Sequence, residues 1–537
     1  MNRSAASFWS WLGRAVPGWG SALRRSVAAR ILLFVLVLVA VERNAAPWNL
    51  GWIRSDEAEE IAERFLLAQE AQVHKYTLIR AVEHRPQGMW RPRGNEERYG
   101  AEPAIGYILR YFRPHEQDGW TISVSPIGRI YRVRRQRLDD EPAQRVERKL
   151  ALDLVRIKLR TELHLAADSL RLVSDSTVSQ PQRSDWYFTF THALPSDTSA
   201  TLEVKLAGEA ITQLSYEGFS PMAGTAPAES PRNRRTIGLA LILIGVFLSM
   251  HYHRTPLAIR AGVLWAGVLF LLAVAVRALT FSQAVILMPW DSPLTGYLSR
   301  VALAGFIESL QAAIVLGMVV ATGESLSRDV FRGSTSLSRL APGLLGWRAA
   351  WARAARWALP CAAVVVVYET LASHYLTPLG LAGKVPDMIA NALSSPWPYA
   401  ALPAQIAVSV LWEETVFRLW LIALVIFWMR SPVMAVLLTA ATATWFAGYD
   451  LSQFMTAGAL FYVLWAIIAG WLIVRVGIVS AMLFHALSVG AYATLVMMWT
   501  GFGAAIGVTT LSVILLLILV IARDSTPRAQ PAPVVVE

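Results

Sequence analysis

The chain reads as mainly α: a polytopic membrane helix bundle of about ten spans with an inserted α+β extracytoplasmic domain. Three observations predict this. Of the 537 residues, 55% are hydrophobic and only 16% are charged, where an ordinary soluble globule has about 25% charged residues. The apolar residues gather in blocks of roughly 17–25, the length at which a helix crosses about 30 Å of hydrocarbon. One stretch, residues 45–235, breaks the habit: it is polar, charged and without a spanning block. A chain of this length has room for both a bundle and a soluble module.

Residues 1–30 form a basic segment with Arg3, Arg14, Arg24, Arg25 and Arg30 ahead of the first apolar run. That run, Ile31–Val41, has the size of a signal-peptide core. Glu42, Arg43 and Asn44 follow it, however, where a cleavage site needs small residues. Residues 31–44 therefore read as an uncleaved signal anchor with a cytoplasmic N-terminus.

Within 45–235 one pattern occurs twice. Residues 56–70 carry helical spacing, with Ile61, Phe65 and Leu66 on one face, and strand-like runs follow at Tyr76–Val82, Ile105–Phe112, Thr121–Ser125 and Arg129–Val133. Residues 141–164 again read as an amphipathic helix, followed by runs near Leu170–Val173, Trp186–Thr191, Thr201–Leu206 and Ala210–Ser215. YILRYF from Tyr107 matches YFTFTH from Tyr187 in place. TISVSPIG ending at Gly128 likewise matches TLEVKLAG ending at Gly208, each glycine opening a hairpin return. A helix and then antiparallel strands, met twice, resembles a pair of PepSY-like modules, residues 142–217 being the better match. The same order also fits any small α+β domain repeated or extended.

The remaining apolar blocks lie at 236–251, 257–279, 301–322, 357–376, 404–428, 432–449, 457–475, 477–499 and 503–522. We divide them into 236–399, the first part of the bundle, 400–500, a core that carries ionisable groups, and 501–537, a last span with a Pro-rich tail that reads as disordered. Charge sets the orientation. The loop 323–356 carries Arg328, Arg332, Arg339, Arg348, Arg353 and Arg356, whereas 280–300 carries only Arg300 and 377–403 only Lys384. Lys and Arg collect on the cytoplasmic side, so both termini are expected inside and residues 45–235 outside. With no organelle address, a bacterial plasma membrane is the expected location, and the lipid bilayer the first partner.

The same habit accounts for the net charge of +11. No basic motif interleaved with aromatics is present, so nucleic acid is not an expected partner. The single cysteine, Cys361, allows no disulfide within the chain and no Cys-based metal site.

Ionisable residues inside spanning blocks are costly and call for a reason. LWEETVFRLW, within 404–428, is the densest case. Glu414 and Arg418 stand four apart, hence on one helix face and able to pair. Glu413 points about 100° away and is expected to lack a local partner, leaving it free for general-base work. Glu308 with Gln311, and Glu369, read as packing partners for Arg418 or for interfacial arginines.

Glu-Glu-x-x-x-Arg in a spanning helix, with polar motifs on two later helices, resembles the CAAX-protease and bacteriocin-processing (CPBP or Abi) family of intramembrane glutamate proteases. The first motif falls on Glu413, Glu414 and Arg418, the second on Phe446 to Asp450, and the third on His485 to Val489. The resemblance covers about residues 400–495 and implies a metal-independent endopeptidase. Glu413 would activate a water, Glu414 and Arg418 would fix the geometry, and Asp450 and His485 would complete the site. Two positions depart from the pattern: Asp450 stands for the second-motif histidine, and Val489 for an asparagine that helps stabilise the oxyanion. Ser488 is one position off that place. Losing such a donor costs on the order of 10²–10³ in rate.

The expected substrate is a peptide or membrane protein and no cofactor is expected. Glu413, Asp450 and His485 could alternatively hold a divalent metal with one open position. A second function stays open, that of a catalytically weakened relative acting as a membrane-bound binding, immunity or sensor protein. Transport fits less well, because no repeated pair of broken helices is seen in the membrane half.

Overall fold

The computed structural model describes residues 27–45, 53–69, 71–84, 105–113, 118–136, 141–161, 170–193, 199–218, 231–252, 256–286, 288, 294–331, 337, 347–375, 384–447, 457–499 and 503–523. Residues 1–26, Arg332, Arg339, Asp450 and the tail beyond Arg523 lie outside them, as does the side chain of Glu369.

The chain is mostly helical. A first helix, α1 (Val27–Ala45), precedes the sheet region, which holds α2 (Ser55–Ala68), β1 (Thr77–His84), β2 (Ile105–Phe112), β3 (Gly119–Val124), β4 (Ile130–Gln136), α3 (Arg148–Thr161), β5 (Arg171–Ser179), β6 (Ser184–Ala193), β7 (Ser199–Ala207) and β8 (Ala210–Gly218). Then come α4 (Pro231–Tyr252), α5 (Ile259–Leu279), the short α6 (Phe281–Ile286), α7 (Leu294–Phe331), α8 (Trp347–Tyr375), α9 (Lys384–Leu393) and α10 (Pro398–Glu413). A π-helical segment, Glu414–Leu421, runs into α11 (Ile422–Met429), and α12 (Pro432–Phe446), α13 (Ala457–Arg475), α14 (Ile478–Trp499) and α15 (Ala504–Arg523) complete the bundle.

Among the described residues, five helical runs are long and apolar enough to cross a membrane: Ile259–Leu279, Thr295–Phe331, Trp347–Tyr368, Ile478–Met498 and Ala504–Ile521. Val27–Val41, Thr236–Tyr252, Pro432–Phe446 and Tyr462–Arg475 are shorter apolar helices. The boundaries follow from local chemistry. Pro398 and Pro432 open their helices at positions where a missing N–H costs nothing, and Ser431 caps the second by accepting from the Met434 amide. Arg430 ends α11 in the left-handed conformation, with φ of 55°.

Helix α14 is buried almost all round and is the axis of the bundle, while α5 turns most of its surface outward. Helices α5 and α7 approach closely through Gly262 and Gly317; a Cβ on Gly262 would come within 2.5 Å of the Gly317 carbonyl oxygen. Helix α1 packs in by its buried Phe34, and Arg30 donates to the Arg356 carbonyl.

The strands form one open antiparallel sheet of eight, in the order β1-β2-β3-β4-β8-β7-β6-β5. It consists of two four-stranded meanders, each preceded by a helix and joined edge to edge where Val133 of β4 faces Leu214 of β8. The tight returns after β3 and β7 place Gly128 and Gly208 at φ of +85° and +61°, conformations that side chains with a Cβ avoid. Alternate residues such as Trp120, Ile122 and Val124, and Phe188 and Phe190, point to one face and form a core with Phe65, Leu66, Val155 and Leu159 of α2 and α3.

Strand β2 is buried on its other face as well, because that face meets the bundle. Arg110 reaches the C-terminal end of α6 and donates to the carbonyls of Val285, Ile286 and Met288 at 2.9, 2.8 and 2.7 Å. The cation thereby satisfies acceptors that a helix end leaves open. In β1, the Val82 amide donates to Ser394 Oγ at 2.8 Å, at the turn between α9 and α10. The sheet therefore grips the segment that leads directly to Glu413.

Candidate active site

The site is built where α10 gives way to the π-helical segment. Ordinary i to i+4 spacing holds as far as Glu413; from Glu414 the backbone widens for eight residues. Such π insertions in α-helices recur at functional sites. One consequence is visible in Arg418, whose Nη1 lies 3.5 Å from the carbonyl oxygen of Glu413, five residues back.

Glu413, Glu414, Arg418 and His485 are all buried. Glu414 Oε2 faces Arg418 Nε at 3.7 Å, as the four-residue spacing predicts. Its Oε1 lies 2.9 Å from His485 Nδ1, which α14 brings across from the centre of the bundle. Glu414 is thus shared between a guanidinium and an imidazole. The Arg418 guanidinium also lies over the Trp465 ring at 4.8 Å, and the edge-on Trp465 and His485 rings are 4.6 Å apart. A cation on an indole face, flanked by a carboxylate, is well held in a dry interior.

Glu413 does not stand alone, and this corrects the sequence expectation. Ser409 Oγ donates to its Oε1 at 3.1 Å, and the Tyr462 hydroxyl donates to its Oε2 at 3.1 Å. Ser409 lies one helical turn back on the same face, a pairing that four-residue spacing could have revealed. Tyr462 comes from α13, and nothing in a single sequence ties it to position 413. Trp465 escaped notice for the same reason. The two hydroxyls thus donate to Glu413 one at each carboxylate oxygen.

The other expected participants fall out differently. Ser488 donates to the Phe484 carbonyl of its own helix at 2.8 Å, and Val489 packs half-buried in the apolar core. Phe446 of the second motif packs edge-on against Phe417, 5.3 Å between centroids, while Asp450 is outside the described residues. Glu308 pairs with Arg277 of α5 on the exposed side of the bundle. It is not a partner of Arg418. Among the described residues no group of three His, Cys, Asp or Glu side chains is placed to hold a metal ion.

Beside the π segment an apolar cavity of about 480 Å³ opens between α4, Val416, Phe417, Trp420 and Leu421, and the end of α12 at Trp445 and Phe446. The arrangement offers a carboxylate with two hydroxyl neighbours, a second carboxylate clamped between arginine and histidine, and an apolar flank. No protein-family model matches the chain, and no curated protein or solved structure matches it either.

Proposed function

We propose that the chain is an intramembrane, metal-independent glutamate endopeptidase of the CAAX-protease-like kind, working on a peptide or membrane-protein substrate. The observation that carries this reading is the buried Glu414–Arg418–His485 cluster, drawn from the π segment and α14, with the buried carboxylate of Glu413 next to it in the chain and held by Ser409 and Tyr462.

Each group has a part. Glu413 takes a proton from water as the oxygen attacks the scissile carbonyl, and later returns a proton to the leaving amine. Arg418 and His485 hold Glu414 between them, so the turn that carries Glu413 keeps its shape while charge develops. Asp450, as the resemblance implies, completes the site, and the apolar cavity beside Phe417 accommodates the hydrophobic flank of the substrate.

In this reading all ten apolar blocks, each of which falls on a helical run, cross a bacterial plasma membrane, with both termini inside. The PepSY-like sheet region lies outside and selects substrate or governs access. Its grip on Val82–Ser394 and on the α6 end supports that role. Purified chain in lipid is expected to cleave membrane-anchored peptides, and Glu413→Gln to remove the cleavage while leaving the fold intact; no cleavage by the wild-type chain would contradict the reading.

A second reading has its own observation. Val489 offers no donor and Ser488 is turned to its own helix, which favours a weakened relative that binds or protects a membrane partner. Cleavage by the wild-type chain separates the two.

A further inference from the structure

An acyl-transfer site needs a hydrogen-bond donor aimed at the oxygen that becomes negative in the transition state. The residues expected to supply it here do not. Val489 has no polar atom, and Ser488 is engaged with Phe484. His485 is constrained by its partner. Its Nδ1 lies 2.9 Å from Glu414 Oε1, which ties the ring to the second glutamate. Arg418 is completely buried behind Glu414, its guanidinium laid on Trp465.

One hydroxyl is better placed. Tyr462 is half-buried, and its oxygen lies 3.1 Å from Glu413 Oε2. A water activated by Glu413 must sit within about 2.6–3.2 Å of that carboxylate. The carbonyl it attacks stands beside the same carboxylate that the phenol touches. The Tyr462 ring packs against Trp465 at 5.4 Å, and Trp465 packs in turn against His485 and Phe484, which holds the phenolic oxygen in place while its O–H can still rotate. A phenol is also a stronger donor than the Ser409 alcohol across the same carboxylate.

Resting on the proteolytic reading above, we infer that Tyr462 is the oxyanion donor of this site and fills the place vacated at Val489. In the addition step the water oxygen bonds to the carbonyl carbon, its proton goes to Glu413, and the carbonyl π pair moves to oxygen. Tyr462 swings its O–H from Glu413 Oε2 to that oxygen. On collapse the carbonyl re-forms, the C–N bond breaks, and Glu413 returns the proton to the amine nitrogen, leaving an acid and an amine.

The test uses the full chain in phosphatidylethanolamine–phosphatidylglycerol vesicles and a panel of membrane-anchored peptides bearing a fluorophore and a quencher. Tyr462→Phe is expected to lower kcat by about 10²–10³ with KM and the unfolding midpoint unchanged. Replacing Tyr462 by a fluorinated tyrosine, a more acidic phenol, is expected to keep activity and move the alkaline limb of the kcat profile to lower pH. An alkaline limb that stays in place overturns the inference. So does near wild-type turnover in Tyr462→Phe, or a loss carried by Ser409→Ala in its stead. A wild-type chain that cleaves nothing in the panel overturns the proteolytic reading itself, and the role of Tyr462 with it.

Discussion

Nδ1 of His485 lies 2.9 Å from Oε1 of Glu414, joining α14 to the π segment across 71 positions of chain. Glu414 also faces Arg418 at 3.7 Å, with every one of these side chains buried. The second glutamate is thus the structural hinge of the cluster, and the first is left to face hydroxyls.

Glu414→Gln should strand the Arg418 cation in the interior, a loss of about 3–5 kcal/mol by analogy with other broken buried pairs. Adding Arg418→Met removes the stranded charge and should recover part of that loss. Thermal unfolding of the four chains in detergent gives the coupling by a double-mutant cycle. Strictly additive losses contradict the shared-glutamate arrangement.

Arg110 holds the sheet to the end of α6 through three carbonyl acceptors. Arg110→Met keeps most of the length and removes the donors, leaving buried acceptors open at about 1–3 kcal/mol. Hydrogen exchange should rise in Thr77–His84 and Ile105–Phe112, the strands nearest the junction, with β5–β7 unaffected. Uniform exchange changes, or none, count against the clamp.

Asp185 is buried beside Arg183 at 2.7 Å and Lys205 at 3.1 Å. Burial by itself raises a carboxyl pKa, but hydrogen bonds from Arg183 and Lys205 outweigh it and leave the group below its ordinary value. A depressed folded value stabilises the fold above the unfolded pKa of about 3.9, and that contribution is lost as pH falls through the folded value. Asp185→Asn should therefore cost about 3 kcal/mol or more near neutrality. The gap from wild type should begin to narrow as pH falls below the unfolded value of about 3.9, and a gap that does not narrow at all on acidification refutes the assignment.

Orientation is checked with single cysteines, since Cys361→Ala leaves the chain without any. Ser176→Cys on the exposed edge strand β5 should react with an impermeant maleimide added outside intact cells. Ala349→Cys at the start of α8 should react only after permeabilisation. The reverse pattern inverts the topology.

Much of this was legible in the sequence. Apolar blocks of spanning length fall on helices because backbone satisfaction inside a bilayer leaves few other choices. Strand-like runs such as Ile105–Phe112 fall on β2, since β-branched and aromatic residues suit a pleated, packed surface. Glu414 and Arg418 pair as their spacing requires. What stayed hidden depends on other helices: Tyr462 reaching Glu413, Trp465 beneath Arg418, and His485 choosing the second glutamate over the first. The π segment was equally hidden, because no proline or glycine within Glu414–Leu421 marks it.

The central claim is that Glu413 activates the attacking water. It is tested most directly by single-turnover cleavage of membrane-anchored fluorogenic peptides by wild-type chain and by Glu413→Gln in matched vesicles. The account predicts cleavage by the wild type, its loss in Glu413→Gln, and a glutamine variant that keeps the same helix content and unfolding midpoint. Cleavage by Glu413→Gln at the wild-type rate would contradict it.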